Sequence, residues 1–237
     1  MNRLGKRWEK IKTVVKTEGT GALLKGIGLF MIERVYSHSI LSLGKTDWRE
    51  ELDLNEEAYK PDIDDISFKI IYSNQQADQL EEEGFSFRHY PTDYNYHLTC
   101  YTDWLDKGVI ACCTFVGKEL GSISWVIPSQ KAQDAIKTYP LKVDYANHEV
   151  FTRGVWVNPK YRGKGLLRYS HRRRNRYMVK NGMIFAKSTV GYTNLAGRGL
   201  QKAFNTKIYG NGHLYRILRL RFWREEYFSE QEKNDSI

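Results

Sequence analysis

Two glycines and two basic residues make up the part of this sequence that is best suited to binding a ligand. They form the segment Arg162-Gly163-Lys164-Gly165, which follows a predicted strand at residues 150–157 and precedes a predicted helix at residues 166–180. Amide N–H groups at the start of a helix have no acceptor within the helix, and the helix dipole is positive there, so such a turn attracts an anion. Glycine has no Cβ to keep a phosphate away from the backbone, and the two basic side chains add positive charge. The segment therefore predicts a site for a diphosphate.

The residues around this turn resemble the acyl-CoA-binding signature of the GNAT superfamily of N-acyltransferases. The resemblance is carried by the run Pro159-Lys160-Tyr161-Arg162-Gly163-Lys164-Gly165-Leu166 and by the strand Gly154-Val155-Trp156-Val157 before it. A Walker loop and a full dinucleotide-binding fingerprint have other glycine spacings, and neither is found in the sequence. The resemblance implies that acetyl-CoA, or another acyl-CoA, is the co-substrate and that no metal takes part. It also implies that the acceptor is an amine of a small molecule, an amino sugar or a peptide.

The resemblance assigns expected roles to individual residues. In this family the amides of the turn hold the CoA pyrophosphate, and the strand before the turn hydrogen-bonds the pantetheine arm. The pyrophosphate would therefore lie against the amides of Arg162, Gly163, Lys164, Gly165 and Leu166. Val155 and Val157 would face the pantetheine and the acyl group, and the N–H of one of them would polarise the thioester carbonyl. Asn194 matches an asparagine that often contacts the pantetheine, although a role as the N-cap of the next helix explains it equally well.

The tyrosine that acts as proton donor in many family members is absent from its usual place in the last helix. There it protonates the departing CoA thiolate, and this sequence has Gln201 instead. Tyr192 and Tyr209 are alternative candidates for the acid. Glu149 and His148, at the start of the strand before the turn, are candidates for the base that takes a proton from the amine, whereas the alternative is that both are solvated loop residues. The missing tyrosine also leaves an alternative function, a catalytically weak CoA-binding or basic nucleic-acid-binding module on the same fold.

The pattern of strands and helices predicts an α/β (α+β) fold of the GNAT type, with a mixed, mostly antiparallel twisted sheet flanked by helices. The order and spacing of elements fit that plan from residue 66 to residue 222, about two thirds of the chain. Strands are predicted at residues 67–72, 109–116, 119–127, 150–157 and 183–190, and as a closing pair within 208–222 around Gly210-Asn211-Gly212. Helices are predicted at residues 75–83, 166–180 and 195–204, with helical signal in 91–107 and a loop with a short helix in 128–147.

The first 60 residues lie outside this plan. Leu4, Trp8, Ile11 and Val15 recur at helical spacing among lysines, which predicts a basic amphipathic extension of one or two helices up to about residue 43. We therefore divide the chain into a helical extension with an acidic linker (1–60), a GNAT-like acyltransferase domain (61–228) and a polar tail (229–237). Three interpretations of the extension remain: an arm packed on the domain or in a homodimer, a peripheral contact with an anionic membrane through residues 1–43, or a contact for a partner.

The charge and the cysteines narrow the class of partner and the compartment. A net charge of +9 favours a polyanionic partner, which could be a phosphate-bearing co-substrate, nucleic acid or an anionic membrane. Arg168, Arg172 and Arg176 share one face of a predicted helix, where they would meet the 3′-phosphate of CoA or form a solvated surface. No aromatic nucleic-acid-binding module accompanies them, which disfavours nucleic acid. An odd number of cysteines, with Cys112 and Cys113 adjacent, favours a reducing compartment, so we expect a cytoplasmic protein, with or without membrane contact.

Overall fold

One sheet organises the described part of the chain. This computed structural model describes residues 36–55, 57–87, 101–136, 138–218 and 220–229. The strands are β1 (Tyr36–Asp47), β2 (Ile66–Ile71), β3 (Ile110–Val116), β4 (Glu119–Ile127), β5 (Glu149–Val157), β6 (Phe185–Gly191), β7 (Lys207–Ile217) and β8 (Leu220–Tyr227). The helices are α1 (Asn74–Glu82), α2 (Tyr101–Asp106), α3 (Gln130–Ala135), α4 (Leu166–Lys180) and α5 (Leu195–Ala203). The strand order is β2-β3-β4-β5-β6-β1-β7-β8.

The pairing of neighbouring strands is antiparallel except between β5 and β6, which run parallel. A parallel pair needs a crossover connection, and α4 supplies it. The hairpin of β3 and β4 turns at Gly117-Lys118, as predicted, with a φ of +56° at Gly117 that suits a two-residue turn. The predicted mixed, mostly antiparallel sheet with flanking helices is thus confirmed.

Each face of the sheet carries an apolar core, because successive strand residues point to opposite faces. On the first face, α1, α2 and α3 pack their apolar side chains against strand residues that include Phe115 and Trp125. On the second face, Met178 of α4 packs against Ile110 and Val126. The two cores hold the central strands firmly, so the ends of β5 and β6 are positioned by buried side chains rather than by loops.

The adjacent cysteines are buried structural residues. Cys113 belongs to the core of the first face and Cys112 to that of the second, as their alternation along a strand predicts. Burial raises the pKa of the Cys112 thiol to about 12 and raises the pKa of Cys113 as well, so neither forms the thiolate that a nucleophile requires. Cys100 lies outside the described residues.

The prediction of helix up to about residue 43 is wrong for residues 36–43, which belong to β1. This strand is inserted between β6 and β7, where Leu41 pairs with Gly191 and Leu43 pairs with Gly210. Leu41 and Leu43 are buried and have a polar residue between them, a period of two that marks a strand. Because β1 is a central strand of the sheet, a domain boundary at residue 60 does not match the structure. The predicted amphipathic residues up to 35 lie outside the described residues.

The predicted turn at Gly210-Asn211-Gly212 is also wrong, because β7 passes straight through these residues and turns only after Ile217. The glycines serve close packing instead. A Cβ on Gly212 would lie 2.2 Å from the Trp223 ring of β8, and a Cβ on Gly210 would lie 2.3 Å from a carbonyl oxygen of the same strand. The absence of side chains at these two positions therefore lets β8 and its Trp223 ring pack closely against β7.

The remaining predicted elements are confirmed to within two residues where the structure describes them. Agreement is complete for β4 and α4, and α3 is the short helix expected within residues 128–147. Of the helical signal in residues 91–107, the structure describes α2 alone. Asn205 adopts a φ of +49° just after α5, as expected for a left-handed helix cap. No helix in the described ranges is both long enough and apolar enough to cross a membrane.

Candidate functional site

The parallel strands β5 and β6 separate part-way along their length. They pair from Glu149 with Phe185 to Thr152 with Ser188, and no further. Beyond that point β5 stays with β4, and β6 stays with β1. Residues 153–157 of β5 therefore lie beyond the pairing with β6 and border an opening in the sheet. An opening of this kind can admit an extended ligand that bonds to one strand edge.

A bulge in β5 shapes this opening. The register between β4 and β5 shifts near Gly154, which has a φ of +65°. A Cβ at this position would lie 3.0 Å from the ring of Trp125, so both the backbone angle and the packing favour glycine. Val155, the next residue, is 42% exposed. The structure therefore leaves Val155 at the open edge of β5, as the prediction of a ligand-facing residue requires, and Val157 ends the same edge.

The turn after β5 is anchored by Glu119 at the start of β4. The Glu119 carboxylate accepts hydrogen bonds from Tyr161 (2.7 Å), Lys160 (2.9 Å) and the side-chain amide of Asn158 (3.1 Å). These contacts, the Tyr161 hydroxyl first, lower the pKa of Glu119. Lys160 is thus neutralised by Glu119, and the positive charge of the turn comes from Arg162 and Lys164.

The backbone amides in the glycine turn and at the start of α4 have no hydrogen-bond acceptor in the described part of the chain. The first main-chain bond of α4 runs from the Tyr169 N–H to the Gly165 carbonyl at 3.1 Å, and none of the amides of residues 163–168 has an acceptor within the described residues. Gly163 and Gly165 have φ values of +73° and +79°, which favour glycine. A Cβ on Gly163 would meet no atom within 4 Å. The space beside Gly163 is therefore open, whereas a Cβ on Gly165 would lie 3.7 Å from Pro61. Free donors beside open space suit an anion.

The amide of Arg162 does not belong to this set of free donors. It already donates to the carbonyl of Pro159 at 3.4 Å, so its predicted role in lining a pyrophosphate is not supported by the geometry. The Arg162 side chain folds back, and its Nε donates to the carbonyl of Val157 at 3.2 Å. The predicted amides of Gly163, Lys164, Gly165 and Leu166 remain in place, and those of residues 167 and 168 extend the set.

The other side of the opening is formed by the end of β6 and the start of α5. The Asn194 side chain accepts from the Gly197 amide at 3.0 Å, which confirms the predicted N-cap. Tyr192 and Leu195 nearby are 56% and 76% exposed, so apolar surface borders the opening on this side as Val155 does on the other. Gln201, which occupies the place of the family's tyrosine, is buried with its Nε2 atom 3.5 Å from Ser188 Oγ. It has no hydroxyl and no ionisable proton to donate.

Glu149 is a buried strand residue, so the alternative of a solvated loop residue is wrong. Its carboxylate is 2.6 Å from Lys45 Nζ and 3.3 Å from Lys187 Nζ, and it accepts the amide of Asp144 at 2.8 Å. Burial opposes ionisation, but the hydrogen bonds from Lys45 and Asp144 and the charge of Lys187 outweigh it and lower the pKa of Glu149. A carboxylate stabilised in this way is a weak base near neutral pH.

The structure brings Tyr209 close to this carboxylate but leaves Tyr192 apart from it. Lys187 Nζ lies 5.2 Å from the centre of the Tyr209 ring, and the buried Tyr209 hydroxyl has no hydrogen-bond partner in the described part of the chain. Burial and the charge of Glu225 raise the pKa of Tyr209, so its hydroxyl stays protonated. Tyr192 follows the far end of β6, where its ring lies 5.1 Å from the Arg198 guanidinium.

The arginines predicted to share one face of α4 have different partners. Arg176 donates to the carbonyl of Leu52 at 2.9 Å, and the guanidinium of Arg172 lies 4.8 Å from the centre of the Tyr59 ring. These two side chains fix the segment before β2, and contact of this face with a 3′-phosphate stays a prediction. Arg168 alone of the three stays exposed near the turn.

Sequence reasoning missed the two lysines beside Glu149. Lys45 lies in β1 and Lys187 in β6, and the two residues pair directly across the strands. They are 142 positions apart in the sequence, so no local pattern relates them. Within the described residues, no group of three or more His, Cys, Asp or Glu side chains is arranged to hold a metal ion.

Comparison with known proteins gives similarity of fold. No family model matches the chain, and no curated protein matches it. A conserved protein of unknown function from Staphylococcus epidermidis is 12% identical, with a TM-score of 0.48, over 80% of this chain and 66% of that chain. The GCN5-related glucosamine N-acetyltransferase region of a fungal multi-domain GH3 beta-N-acetylglucosaminidase is 14% identical, with a TM-score of 0.48, over 84% of this chain and 23% of that chain. A GCN5-related N-acetyltransferase-like protein from Streptococcus suis is 12% identical, with a TM-score of 0.46, over 88% of this chain and 69% of that chain.

The chain spans about two thirds of the length of the two bacterial proteins and 23% of the fungal one, and the likeness carries no assignment of activity or substrate. The sheet itself supports the GNAT-type fold that the sequence predicted. Its distinguishing feature is a parallel pair that opens towards a glycine turn inside an otherwise antiparallel sheet. At the level of the fold, the prediction is confirmed.

Proposed function

We propose that this protein is an acyl-CoA-dependent N-acyltransferase that moves an acyl group, acetyl in the simplest case, directly from CoA to an amine. One observation carries the proposal: the opening between β5 and β6 ends at a glycine turn whose amides, from residue 163 to residue 168, have no acceptor in the described ranges. An open strand edge suits the amide-bearing pantetheine arm, and free donors at a helix start suit the diphosphate of the same molecule.

The residues of the chain fit acyl-CoA at three places. Gly163, Lys164, Gly165 and Leu166 would hold the diphosphate through their amides, with the Lys164 side chain adding charge. Val155 and Val157 would hold the pantetheine arm along β5, and Asn194 borders the other side. Exposed Tyr192 and Leu195 would cover the apolar part of the arm.

When bound, acyl-CoA would supply the acyl group as a thioester. The amine nitrogen bonds to the carbonyl carbon, the carbon–sulfur bond breaks, the sulfur ends as a thiol, and the amine gives up one proton. We propose that the N–H of Val155 or Val157, at the open edge of β5, polarises the carbonyl oxygen. Holding both reactants in the opening accounts for much of the rate, since such positioning is worth on the order of 7 kcal/mol or more in favourable cases.

We propose different roles for the three predicted catalytic residues. Glu149 acts as a positioning residue, because its carboxylate is already neutralised by Lys45 and Lys187 and holds both ammonium groups in place. Tyr209, protonated and without a partner in the described ranges, is the candidate to donate a proton or hydrogen bond. Tyr192 lies at the outer end of the opening, where it covers the CoA arm.

The alternative function, CoA binding without turnover, is favoured by Gln201 in place of the family's tyrosine. One experiment separates the two. Calorimetry with CoA and acetyl-CoA is expected to show binding, and mass spectrometry after incubation with acetyl-CoA and a panel of amines is expected to show acetylated products. Binding without any product would favour the alternative. If neither CoA nor acetyl-CoA binds, both proposals are wrong.

A further inference from the structure

Three neighbouring strands, β1, β7 and β8, continue past the end of β6 and form an arm. The last residue of β6, Gly191, pairs with Leu41, yet β1 begins five residues earlier at Tyr36. At about 3.4 Å per residue, β1 extends roughly 17 Å past the end of β6. The two closing strands accompany it, because Tyr36 pairs with Ile217 and Ile217 pairs with Leu220. We define the arm as residues 36–40, 213–218 and 220–224.

The surface of the arm is unusually apolar. Leu218 is 70% exposed, Leu220 62%, Phe222 51% and Ile217 41%. Of the thirteen large hydrophobic side chains that are exposed in the described ranges, six belong to the arm. Concentrated apolar exposure of this kind marks a surface that binds a partner. Three aliphatic residues, Ile217, Leu218 and Leu220, lie at the tip of the arm, next to the turn between β7 and β8.

The charge of the arm identifies the class of partner. Arg216 and Arg221 are exposed and lie directly opposite each other in the hairpin, and neither has an acidic partner among the described residues. Like charges in directly opposed positions destabilise a sheet unless an anion lies near them. The arm as defined contains three arginines, Arg216, Arg221 and Arg224, and no acidic residue. An anionic partner would relieve this repulsion.

We propose that the arm docks on an anionic lipid surface. Leu218 and Leu220 would enter the boundary between headgroups and acyl chains, while Arg216 and Arg221 bind the lipid phosphates and carboxylates. A second copy of the chain fits less well, because two such arms would repel each other. Nucleic acid would engage the arginines but leave the aliphatic tip in water. Since β5 and β6 run towards the arm, docking also brings the opening of the sheet towards the lipid surface.

Flotation of the full chain with vesicles tests this proposal. The wild type is expected to float with phosphatidylcholine vesicles that contain about one third phosphatidylserine, and to remain unbound with phosphatidylcholine alone. The variant Leu218→Ser/Leu220→Ser and the variant Arg216→Glu/Arg221→Glu should each lower the partition onto anionic vesicles by roughly tenfold or more.

Matched controls come from elsewhere on the surface. Leu52 and Leu54 are also exposed and two residues apart, and Lys131 and Lys180 are exposed lysines of α3 and α4. The variants Leu52→Ser/Leu54→Ser and Lys131→Glu/Lys180→Glu should bind vesicles as the wild type does. Circular dichroism and CoA affinity measured on every variant establish that the sheet and the glycine turn are intact.

Three results would overturn the proposal. The wild type could fail to float with anionic vesicles. The arm variants could bind as well as the wild type, which would assign the contact to another part of the chain. The Leu218→Ser/Leu220→Ser variant could convert a dimer into a monomer by light scattering while vesicle binding stays unchanged, which would make a second copy the occupant. None of these results bears on CoA affinity, so a failure of the proposed function would be seen separately.

Discussion

The substitution Gly163→Asp should reduce the affinity for CoA by about a hundredfold. A Cβ on Gly163 meets no protein atom within 4 Å, so the new carboxylate would occupy the space in front of the free amides. At about 5 Å and an effective dielectric constant of about 40, two unit charges repel by roughly 1.7 kcal/mol. Two charges of a diphosphate then give about 3 kcal/mol, which corresponds to about two orders of magnitude in affinity.

Backbone strain must be separated from this electrostatic effect, and Gly182 provides the matched control. Gly182 follows the other end of α4 and has a φ of +80° against +73° at Gly163. A Cβ on Gly182 would likewise meet no atom within 4 Å. Substitution of either glycine should lower the free energy of unfolding by about 1 kcal/mol, because the backbone at both positions is left-handed. The loss of CoA affinity should occur at Gly163 and not at Gly182.

Calorimetric titration with CoA, combined with urea unfolding, measures both quantities on the same samples. Gly163→Ala gives an intermediate case, since it adds the Cβ without the charge and should weaken binding less than the aspartate does. The reasoning fails if Gly163→Asp binds CoA within about twofold of the wild type. It fails equally if Gly182→Asp loses as much affinity as Gly163→Asp.

Three further predictions concern the acceptor side and the packing. Glu149→Gln should lower the free energy of unfolding at pH 7 by about 2 kcal/mol. Because the pKa of Glu149 is lowered in the folded state, this contribution is full above the unfolded pKa of about 4.3 and is lost as the pH falls through the folded pKa. Urea unfolding of both proteins across that pH range checks this, and a difference that does not change with pH would contradict it. Tyr209→Phe should leave stability unchanged or slightly higher but lower kcat for acetyl transfer by about tenfold or more, whereas an unchanged kcat would remove Tyr209 from the mechanism. Gly212→Ala should destabilise the protein by about 2 kcal/mol or more, because its Cβ would lie 2.2 Å from the Trp223 ring. Gly199→Ala, on the open side of α5, should instead stabilise the protein by about 0.5–1 kcal/mol. Equal effects of the two variants on the thermal midpoint would contradict this account.

The elements that agree best with prediction are those whose signals lie close together in the sequence. The bounds of β4 and α4 follow from continuous patterns, and the hairpin turn at Gly117-Lys118 follows from two adjacent residues. The sequence favours a helix in place of β1 because the period of two covers only a few residues beside a longer helical pattern. At Gly210 and Gly212 the glycines indicate a turn, since the sequence does not show that Trp223 packs over them.

The sequence by itself determined the glycine turn with its amide donors, because a strand, a glycine turn and a helix start are consecutive residues whose donors depend on local backbone geometry alone. Only the tertiary structure decided the state of Glu149, because the choice between a base and a solvated loop residue depends on Lys45 and Lys187 beside it. It also decided where β1 lies and that three strands project as a basic, apolar arm. These features depend on which strands pair and in what register. Lys45 is 104 positions from Glu149, and β1 pairs with strands more than a hundred positions away, so these contacts have no local signature.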